Sequence, residues 1–324
     1  MATQLYADGW KQDAPKRYTI ATASTGGTYY PVGVGIATIA SMQLAAKHRM
    51  TFSALASAGS AENIDMIDKG EVDFAIVQGL FASMVRQGSG IYQGHPRTNM
   101  LAISMLWQNV EQFVLCHEYV ETGTILDLKH LYGKPFSIGK RHSGSRISGE
   151  TLLRTLEIAY DRMDLRYLGY GASALAMEKH TIEGMNIPAG VPAGAVAQAY
   201  DRIGADRITI LEFTDAQVKR VRDAFPIWNR YTIPAHTYAG QHRALRTIAQ
   251  PNLLIAARDT PEETVYRLTK TLYENLPFLH TVHAATHAIA LERAITGLPM
   301  PLHPGAIRYY RERGLSIPDA LIVS

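Results

Sequence analysis

The chain is poor in cysteine, in surplus charge and in long apolar runs. Its 324 residues contain one cysteine, Cys116, so an intramolecular disulfide is excluded. The formal net charge is only +3 and no long basic run occurs, so no nucleic-acid partner is expected. No run of about 18 apolar residues is present, which argues against a membrane-spanning helix. Cys116 lies in an apolar run and is interpreted as a buried structural thiol, with a catalytic thiol as the alternative.

The N-terminal segment Met1–Asp8 does not resemble a secretory signal peptide, because a basic segment followed by an apolar segment is missing. A signal peptide either never existed or was removed and replaced by a start methionine, and the sequence leaves both alternatives open. Hydrophobic residues make up 47% of the chain, enough for a substantial core, and the length favours about two domains.

Common catalytic and cofactor motifs are also missing. No phosphate-binding loop, dinucleotide fingerprint or nucleophile elbow is found. His283 and His287 share a helical face but lack the adjacent glutamate of a zinc protease, so they are interpreted as a solvated or capping cluster rather than a metal site. We therefore expect no cofactor, no metal and no enzymatic activity. An enzyme is kept as an alternative.

Strands and helices alternate along the chain. Apolar strands are predicted at 17–23, 50–55, 73–77, 100–107, 111–117, 134–139, 207–211 and 252–257, with helices between most of them. This alternation of strands and helices is typical of βαβ units and predicts an α/β fold with a largely parallel sheet.

Loops of small and hydroxyl-bearing residues connect several strands to the following helices. Two such loops are residues 24–27 and 142–145, and 57–60 is a third candidate. Helix N-termini carry unpaired N–H groups and partial positive charge, and ligands of open α/β sheets bind beyond the carboxyl ends of the strands. Each loop alone reads as a plain turn with a helix cap. Their recurrence in both halves favours one anion site shared by two lobes.

Several of these segments together resemble the TAXI family, the TRAP-associated extracytoplasmic immunogenic proteins. The resemblance runs in order from about residue 17 to 313. It rests on residues 22–33 (TASTGGTYYPVG), 57–63 (SAGSAEN), 70–78 (GEVDFAIVQ), 139–150 (GKRHSGSRISGE), 233–241 (IPAHTYAGQ) and 301–310 (PLHPGAIRYY).

The resemblance implies a two-lobed fold of the type II periplasmic-binding-protein kind, with crossover strands as a hinge and a ligand cleft between the lobes. Residues 17–106 plus 245–324 are predicted to form one lobe, and residues 107–244 the other. One segment departs from the family: Glu183 and Gly184 stand where it usually has Asp-Ala. Met185 and Asn186 are expected to face the cleft.

The predicted ligand-binding residues supply hydroxyl, amide, backbone N–H or cationic groups. The Arg141 and Arg146 guanidinium groups suit a carboxylate, with an ordinary surface ion pair as the alternative for each. Asn63 is also read as a helix cap. The predicted set is Ser24, Thr25, Gly27, Thr28, Tyr29, Ser57, Gly59, Ser60, Asn63, Gln78, Arg141, Ser143, Gly144, Ser145, Pro188 and Tyr238.

The resemblance implies a periplasmic receptor that captures a small organic anion, such as glutamate or 2-oxoglutarate, and delivers it to a TRAP membrane permease. A monomer is expected. A hydroxy-dicarboxylate or an aromatic acid also suits loops rich in hydroxyl groups. The alternatives are an enzyme or a ligand-sensing regulator that uses the same cleft.

Overall fold

Two β-sheets, each flanked by helices, make up the structure. The computed structural model describes residues 14–323, so the N-terminal segment Met1–Asp8, on which the signal-peptide prediction rests, lies outside the described residues. No helix between residues 14 and 323 is both long enough and apolar enough to cross a bilayer. The predicted α/β class is confirmed by the two mixed sheets.

Strands and helices alternate along most of the chain. The first elements are β1 (Lys16–Ala21), α1 (Tyr29–His48), β2 (Met50–Leu55), α2 (Ser60–Asp68), β3 (Phe74–Gln78), α3 (Gly79–Gln87) and β4 (Met100–Val110). The middle elements are β5 (Phe113–Cys116), β6 (Pro135–Ser137), α4 (Gly144–Thr155), β7 (Asp164–Arg166), α5 (Tyr170–Glu178), β8 (Gly184–Asn186), α6 (Gly194–Ile203), β9 (Ile208–Ile210) and α7 (Asp215–Ala224). The last are β10 (Asn229–Ile233), β11 (Leu245–Ala257), α8 (Glu262–Glu274), α9 (Leu276–Val282) and α10 (Pro304–Glu312).

Each sheet combines parallel strands with antiparallel ones. In the first sheet the order is β10-β11-β3-β1-β2, with β4 also paired to β11. Strand β1 pairs in parallel with β2 and β3, whereas β11 is antiparallel to its three neighbours. The second sheet has the order β7-β6-β8-β5-β9, in which β6 is parallel to β7 and β8 and β5 is antiparallel to β8 and β9.

The chain passes between the sheets at two places. Strand β4 stays in the first sheet as far as Val110, and β5 enters the second sheet at Phe113. The return runs through residues 211–228, because β10 already pairs with β11. The sheets therefore assign 107–110 and 229–233 to the first half, although both ranges fall in the segment predicted for the second lobe. The lobe boundaries at 106–107 and 244–245 stay a prediction.

Large aromatic side chains fill the interior of the molecule. Trp107, Trp228 and Phe74 are fully buried, as expected for the core. A smaller apolar cluster under the second sheet contains Met185 and Tyr238. Helices α3 and α7 and strand β10 were not predicted; α7 has a capping box between Thr214 and Gln217 that marks its start in the sequence.

Glu111 is a fully buried carboxyl at the first crossing between the sheets. Its backbone N–H donates to the Ile248 carbonyl oxygen at 2.9 Å, and the Thr247 hydroxyl donates to its carbonyl oxygen at 2.7 Å. Neither carboxyl oxygen has a hydrogen-bond partner among residues 14–323. Burial raises the pKa of Glu111 well above its ordinary value, opposed by the nearby Ser148 hydroxyl. Burial therefore favours the neutral, protonated form of this side chain in the folded protein.

Replacing this carboxyl with an amide changes how stability depends on pH. The folded chain holds the Glu111 proton more tightly than the unfolded chain, so rising pH above the ordinary pKa of 4.5 destabilises the native protein. In Glu111→Gln this loss is absent. As the pH rises, we expect the free energy of unfolding of the variant to increase relative to that of the native chain by up to about 1.4 kcal/mol per pH unit. The increase ends once the pH exceeds the pKa of Glu111 in the folded protein. Urea denaturation at a series of pH values measures it.

Glu71→Gln removes an exposed carboxyl and serves as the matched control. A constant difference between Glu111→Gln and the native chain over the same pH range would contradict a neutral buried carboxyl.

Asn63 links α2 to the end of β1 and to β3. Its side-chain amide donates to the Thr22 carbonyl oxygen at 2.7 Å and to the Ile76 carbonyl oxygen at 2.8 Å. Its amide oxygen accepts the Ser57 hydroxyl at 2.6 Å. Because both N–H groups and the oxygen are engaged and the residue is fully buried, Asn63 holds the fold at this point.

Truncating Asn63 should therefore destabilise the protein strongly. Asn63→Ala removes two hydrogen bonds to buried carbonyl oxygens and one from the Ser57 hydroxyl, and we expect a loss of about 2–4 kcal/mol in the free energy of unfolding. Urea denaturation tests this against Asn99→Ala, which removes one exposed hydrogen bond, from the Asn99 amide to Asp68. Equal losses in the two variants would rule out this structural role.

Candidate functional site

A cavity lies between the two halves, at the carboxyl ends of the parallel strands. Its walls come from the segments that follow β1, β2 and β3 in the first sheet and β6, β7 and β8 in the second. The free volume is about 20 Å³, room for about one water molecule. The lining residues are Ala23, Ser24, Gly27, Thr28, Tyr29, Ala58, Gly59, Ser60, Gln78, Lys140, Ser143, Gly144, Ser145, Leu168, Gly169, Tyr170, Pro188 and Ala189.

Four helix N-termini converge on this cavity. For α1, α2, α4 and α5, both the cap residue and the first helical residue belong to the lining; for α3, the cap residue Gln78 does. The first N–H groups of a helix have no partner within the helix, and the helix dipole adds partial positive charge there. The lining contains no aspartate or glutamate. The electrostatic environment therefore favours an anion.

The N-termini of α2 and α4 approach each other closely from opposite halves. A Cβ atom on Gly144 would lie 2.8 Å from the Ser60 hydroxyl oxygen, too close for a larger residue without movement. Gly59, which precedes α2, has a φ of 117°, a conformation that favours glycine. The Ser143 hydroxyl caps α4 by accepting from the Arg146 N–H at 3.1 Å. These residues set the spacing between the two helix ends.

Two tyrosines, the buried Tyr29 and the partly buried Tyr170, form opposite walls of the cavity. The Tyr29 hydroxyl donates to the side-chain oxygen of Asn252. The Tyr170 hydroxyl donates to the Pro188 carbonyl oxygen at 2.6 Å and lies 2.7 Å from the Ser145 hydroxyl. Burial raises the pKa of both phenols. Both side chains therefore stay neutral and act as hydrogen-bonding walls.

Direct hydrogen bonds join the two halves beside the cavity. The Thr28 hydroxyl donates to the Gly190 carbonyl oxygen at 3.1 Å, and the Ala195 N–H donates to the Gly26 carbonyl oxygen at 3.2 Å. The loop before α1 thereby contacts the segment before α6. An organic acid larger than water enters only when these contacts separate or the side chains move.

Lys140 supplies the positively charged side chain of the lining. It is exposed, and no ion pair involving it is found within residues 14–323. The Cβ of a residue at position 169 would lie 3.0 Å from the Lys140 Cε, which places the side chain along the α5 end of the cavity. Lysine here adds a full charge to the partial charges of the helix ends.

Most of the predicted site residues come together at the cavity. The structure places Ser24, Gly27, Thr28, Tyr29, Gly59, Ser60, Gln78, Ser143, Gly144, Ser145 and Pro188 in the lining. It places Thr25, Ser57, Asn63, Arg141 and Tyr238 outside it.

The outlying residues have other contacts. Arg141 stacks over the Tyr167 ring at 4.0 Å and lies beside a separate surface depression. Tyr238 contacts Gln112 and accepts from the Ala193 N–H at 2.9 Å, below the second sheet. Ser57 binds Asn63, and Thr25 is exposed.

Two further expectations about the second half need correction. Met185 and Asn186 do not line the cavity, because β8 buries both side chains. The Asn186 amide donates to the Ser145 carbonyl oxygen at 3.1 Å and thus supports the wall from behind. Arg146 forms an ion pair with Glu150, with 3.4 Å between the guanidinium nitrogen and the carboxylate oxygen, which is the alternative to carboxylate binding given above.

The remaining reactive side chains lie away from the cavity. Cys116 is partly buried, and burial raises the pKa of its thiol to about 11, so it is protonated. The His283 ring caps the next turn by accepting from the Ala285 N–H at 3.0 Å, and the His287 ring stacks on His280.

Lys140 and Tyr170 were missed by the sequence analysis. Lys140 is the first residue of the loop in which Arg141 and Ser143–Ser145 were predicted, and Arg141 was taken as the cationic group of that loop. Tyr170 follows Gly169 and precedes Gly171 at the start of a helix. That Gly-Tyr-Gly segment repeats the pattern of small residues before a helix, so the same criterion could have found it.

The fold is similar to those of known binding proteins. MatC from Rhodopseudomonas palustris, solved with bound malate, is 13% identical, with coverage of 92% of this chain and 98% of that one and a TM-score of 0.57. The periplasmic binding protein BugD is 12% identical over 93% of this chain and 94% of its own, with a TM-score of 0.54. These likenesses show a two-lobed periplasmic-binding-protein fold.

The sequence pattern of one family extends over nearly the whole described chain. It matches residues 20–314 and so includes both sheets and every segment that lines the cavity. On this match, the chain belongs to the NMT1-like family.

Proposed function

We propose that this protein is an extracytoplasmic solute-binding protein that captures a small carboxylate or dicarboxylate between its two halves. The observation that carries the proposal is the convergence of four helix N-termini and Lys140 on a cavity whose lining has no acidic side chain. Such a site stabilises an anion through N–H donors, hydroxyl donors and one cation. The malate bound to MatC, a protein of similar fold, supports a carboxylate as the ligand class.

Transport is the proposed context. The TAXI-like segments at 22–33, 57–63 and 139–150 supply three stretches of the cavity wall. Their resemblance supports delivery of the ligand to a TRAP permease by a monomeric periplasmic receptor. Closure of the halves over the ligand would be the state that the permease recognises. The lining lacks a histidine, cysteine or acidic side chain for proton transfer or nucleophilic attack, which favours binding over catalysis.

A panel of small anions tests the proposal directly. Malate, succinate, glutamate, 2-oxoglutarate, benzoate and methylphosphonate are added separately, and the melting temperature is measured. A carboxylate at about a hundredfold excess over its Kd should stabilise the protein by about 2.7 kcal/mol and raise Tm by about 5 °C or more. A flat response to every carboxylate would contradict the proposal, and a response to methylphosphonate alone would replace the ligand class.

Lys140 gives a sharper test of the electrostatic argument. Lys140→Met should weaken the binding of the stabilising carboxylate about tenfold to a hundredfold, because a charge-assisted hydrogen bond is lost. Lys134→Met, which removes an exposed lysine outside the lining, is the matched control. Isothermal titration calorimetry measures both affinities. Equal affinity in the two variants would show that Lys140 does not contact the anion.

A further inference from the structure

A second layer of polar side chains lies directly behind the lining, and each of them has at least one buried atom without a hydrogen-bond partner. Within residues 14–323, most of the buried side-chain nitrogen and oxygen atoms without a partner belong to this one layer. We call it the polar layer. It consists of Trp107, Asn109, Glu111, Asn186 and Asn252, all almost completely buried.

The layer is continuous with the cavity wall. The Trp107 ring packs edge-to-face on Tyr29 at 5.9 Å, and Asn252 accepts the Tyr29 hydroxyl. On the opposite side, the Asn186 amide donates to the Ser145 carbonyl oxygen. Tyr29 and Ser145 are lining residues from different halves, so the layer supports both walls.

Glu111 and Asn109 lie where the first strand crosses between the sheets. Trp107 and Asn109 occupy alternate positions of β4, which places their side chains on one face, and Glu111 is the next alternate residue. The crossing strand pairs with the cavity wall, because Val110 and Ala189 exchange backbone hydrogen bonds at 2.9 and 3.1 Å and Ala189 belongs to the lining. The unpaired groups of the crossing strand therefore lie next to the same cavity.

The unpaired atoms include both donors and acceptors. Trp107 Nε1, Asn109 Nδ2 and Asn252 Nδ2 are free donors, whereas Asn109 Oδ1 and Asn186 Oδ1 are free acceptors. A second carboxylate only accepts hydrogen bonds and an ammonium group only donates them. A hydroxyl group does both and carries no charge, which matches a mixed and neutral set of partners.

Leaving such groups unpaired is costly in a buried site. Each one weakens the native state by about 1–3 kcal/mol unless it gains a partner, so a cluster of them marks a place where water or a ligand completes the hydrogen bonding. The cavity as it stands admits about one water molecule. An organic acid can enter only if the two walls of the cavity separate. The walls are Tyr29 and Ser60 on one side and Tyr170 and Gly144 on the other, and their separation would expose the polar layer to the cleft.

We propose that the polar layer is a subsite for a hydroxyl group of the ligand, so that the protein selects hydroxy acids over the matching acids without the hydroxyl. This inference rests on the proposed function and adds the ligand's second recognition element. The helix N-termini and Lys140 hold the carboxylate, and the amides of the layer pair with the hydroxyl.

Matched acids on the native protein test this without any variant. Malate is compared with succinate and lactate with propionate by isothermal titration calorimetry at one pH and salt concentration. The hydroxylated acid of at least one pair should bind about tenfold or more tightly, because its analogue leaves buried donors and acceptors unpaired. Equal affinities within both pairs would overturn the inference but leave the proposed function intact. No binding of any acid would overturn both.

Variants of the layer identify the residues responsible. Asn109→Leu should remove most of the preference for the hydroxyl while the affinity for the plain acid changes less, and Asn99→Leu, at an exposed site, is the control. Glu111→Gln, which still donates and accepts, should lower the preference less than Glu111→Leu. A preference that survives both Asn109→Leu and Glu111→Leu would place the hydroxyl elsewhere and overturn the assignment.

Discussion

The structure depends on the unpaired N–H groups at helix N-termini that face one another across a single cavity. Each of these helices follows a strand of a parallel set after a short loop, so the carboxyl ends of β1, β2, β6 and β7 bring four such termini together. Placing like partial charges opposite one another is unfavourable unless an anion lies between them. The absence of acidic residues from the lining leaves that position to a ligand.

The crossings between the sheets place buried polar side chains beneath the site. Strands β4 and β11 pair over a long antiparallel stretch and carry Trp107, Asn109 and Asn252 under the cleft. A core of this kind normally consists of apolar residues, because unpaired polar groups are costly when buried. The exception occurs where the two halves meet, the region that must rearrange when a ligand enters. On the proposed function, the polar junction binds the hydroxyl group of the ligand and the positively charged rim binds its carboxylate.

Much of the fold followed from short-range patterns. The apolar runs of β1, β2 and β3 and the small residues after them predicted strands, loops and the α/β class, since period and turn chemistry are local properties. The first loop, from Ser24 to Tyr29, lies mostly in the cavity wall as expected. Arg141 did not, because whether a loop arginine faces a cleft or stacks on a ring such as Tyr167 depends on packing that a local pattern does not encode.

By itself, the sequence determined the kind of chemistry available: hydroxyls and glycines ahead of helices, a single cysteine and few motifs for catalysis. Tertiary structure decided which of those groups meet. It brought Lys140 and Tyr170 into the wall, engaged Asn63 in holding strands together and left Asn109 and Glu111 unpaired beneath the cleft. The physical reason is that burial, pairing and electrostatic environment arise from contacts between segments distant in the chain, and such contacts exist only in the folded molecule.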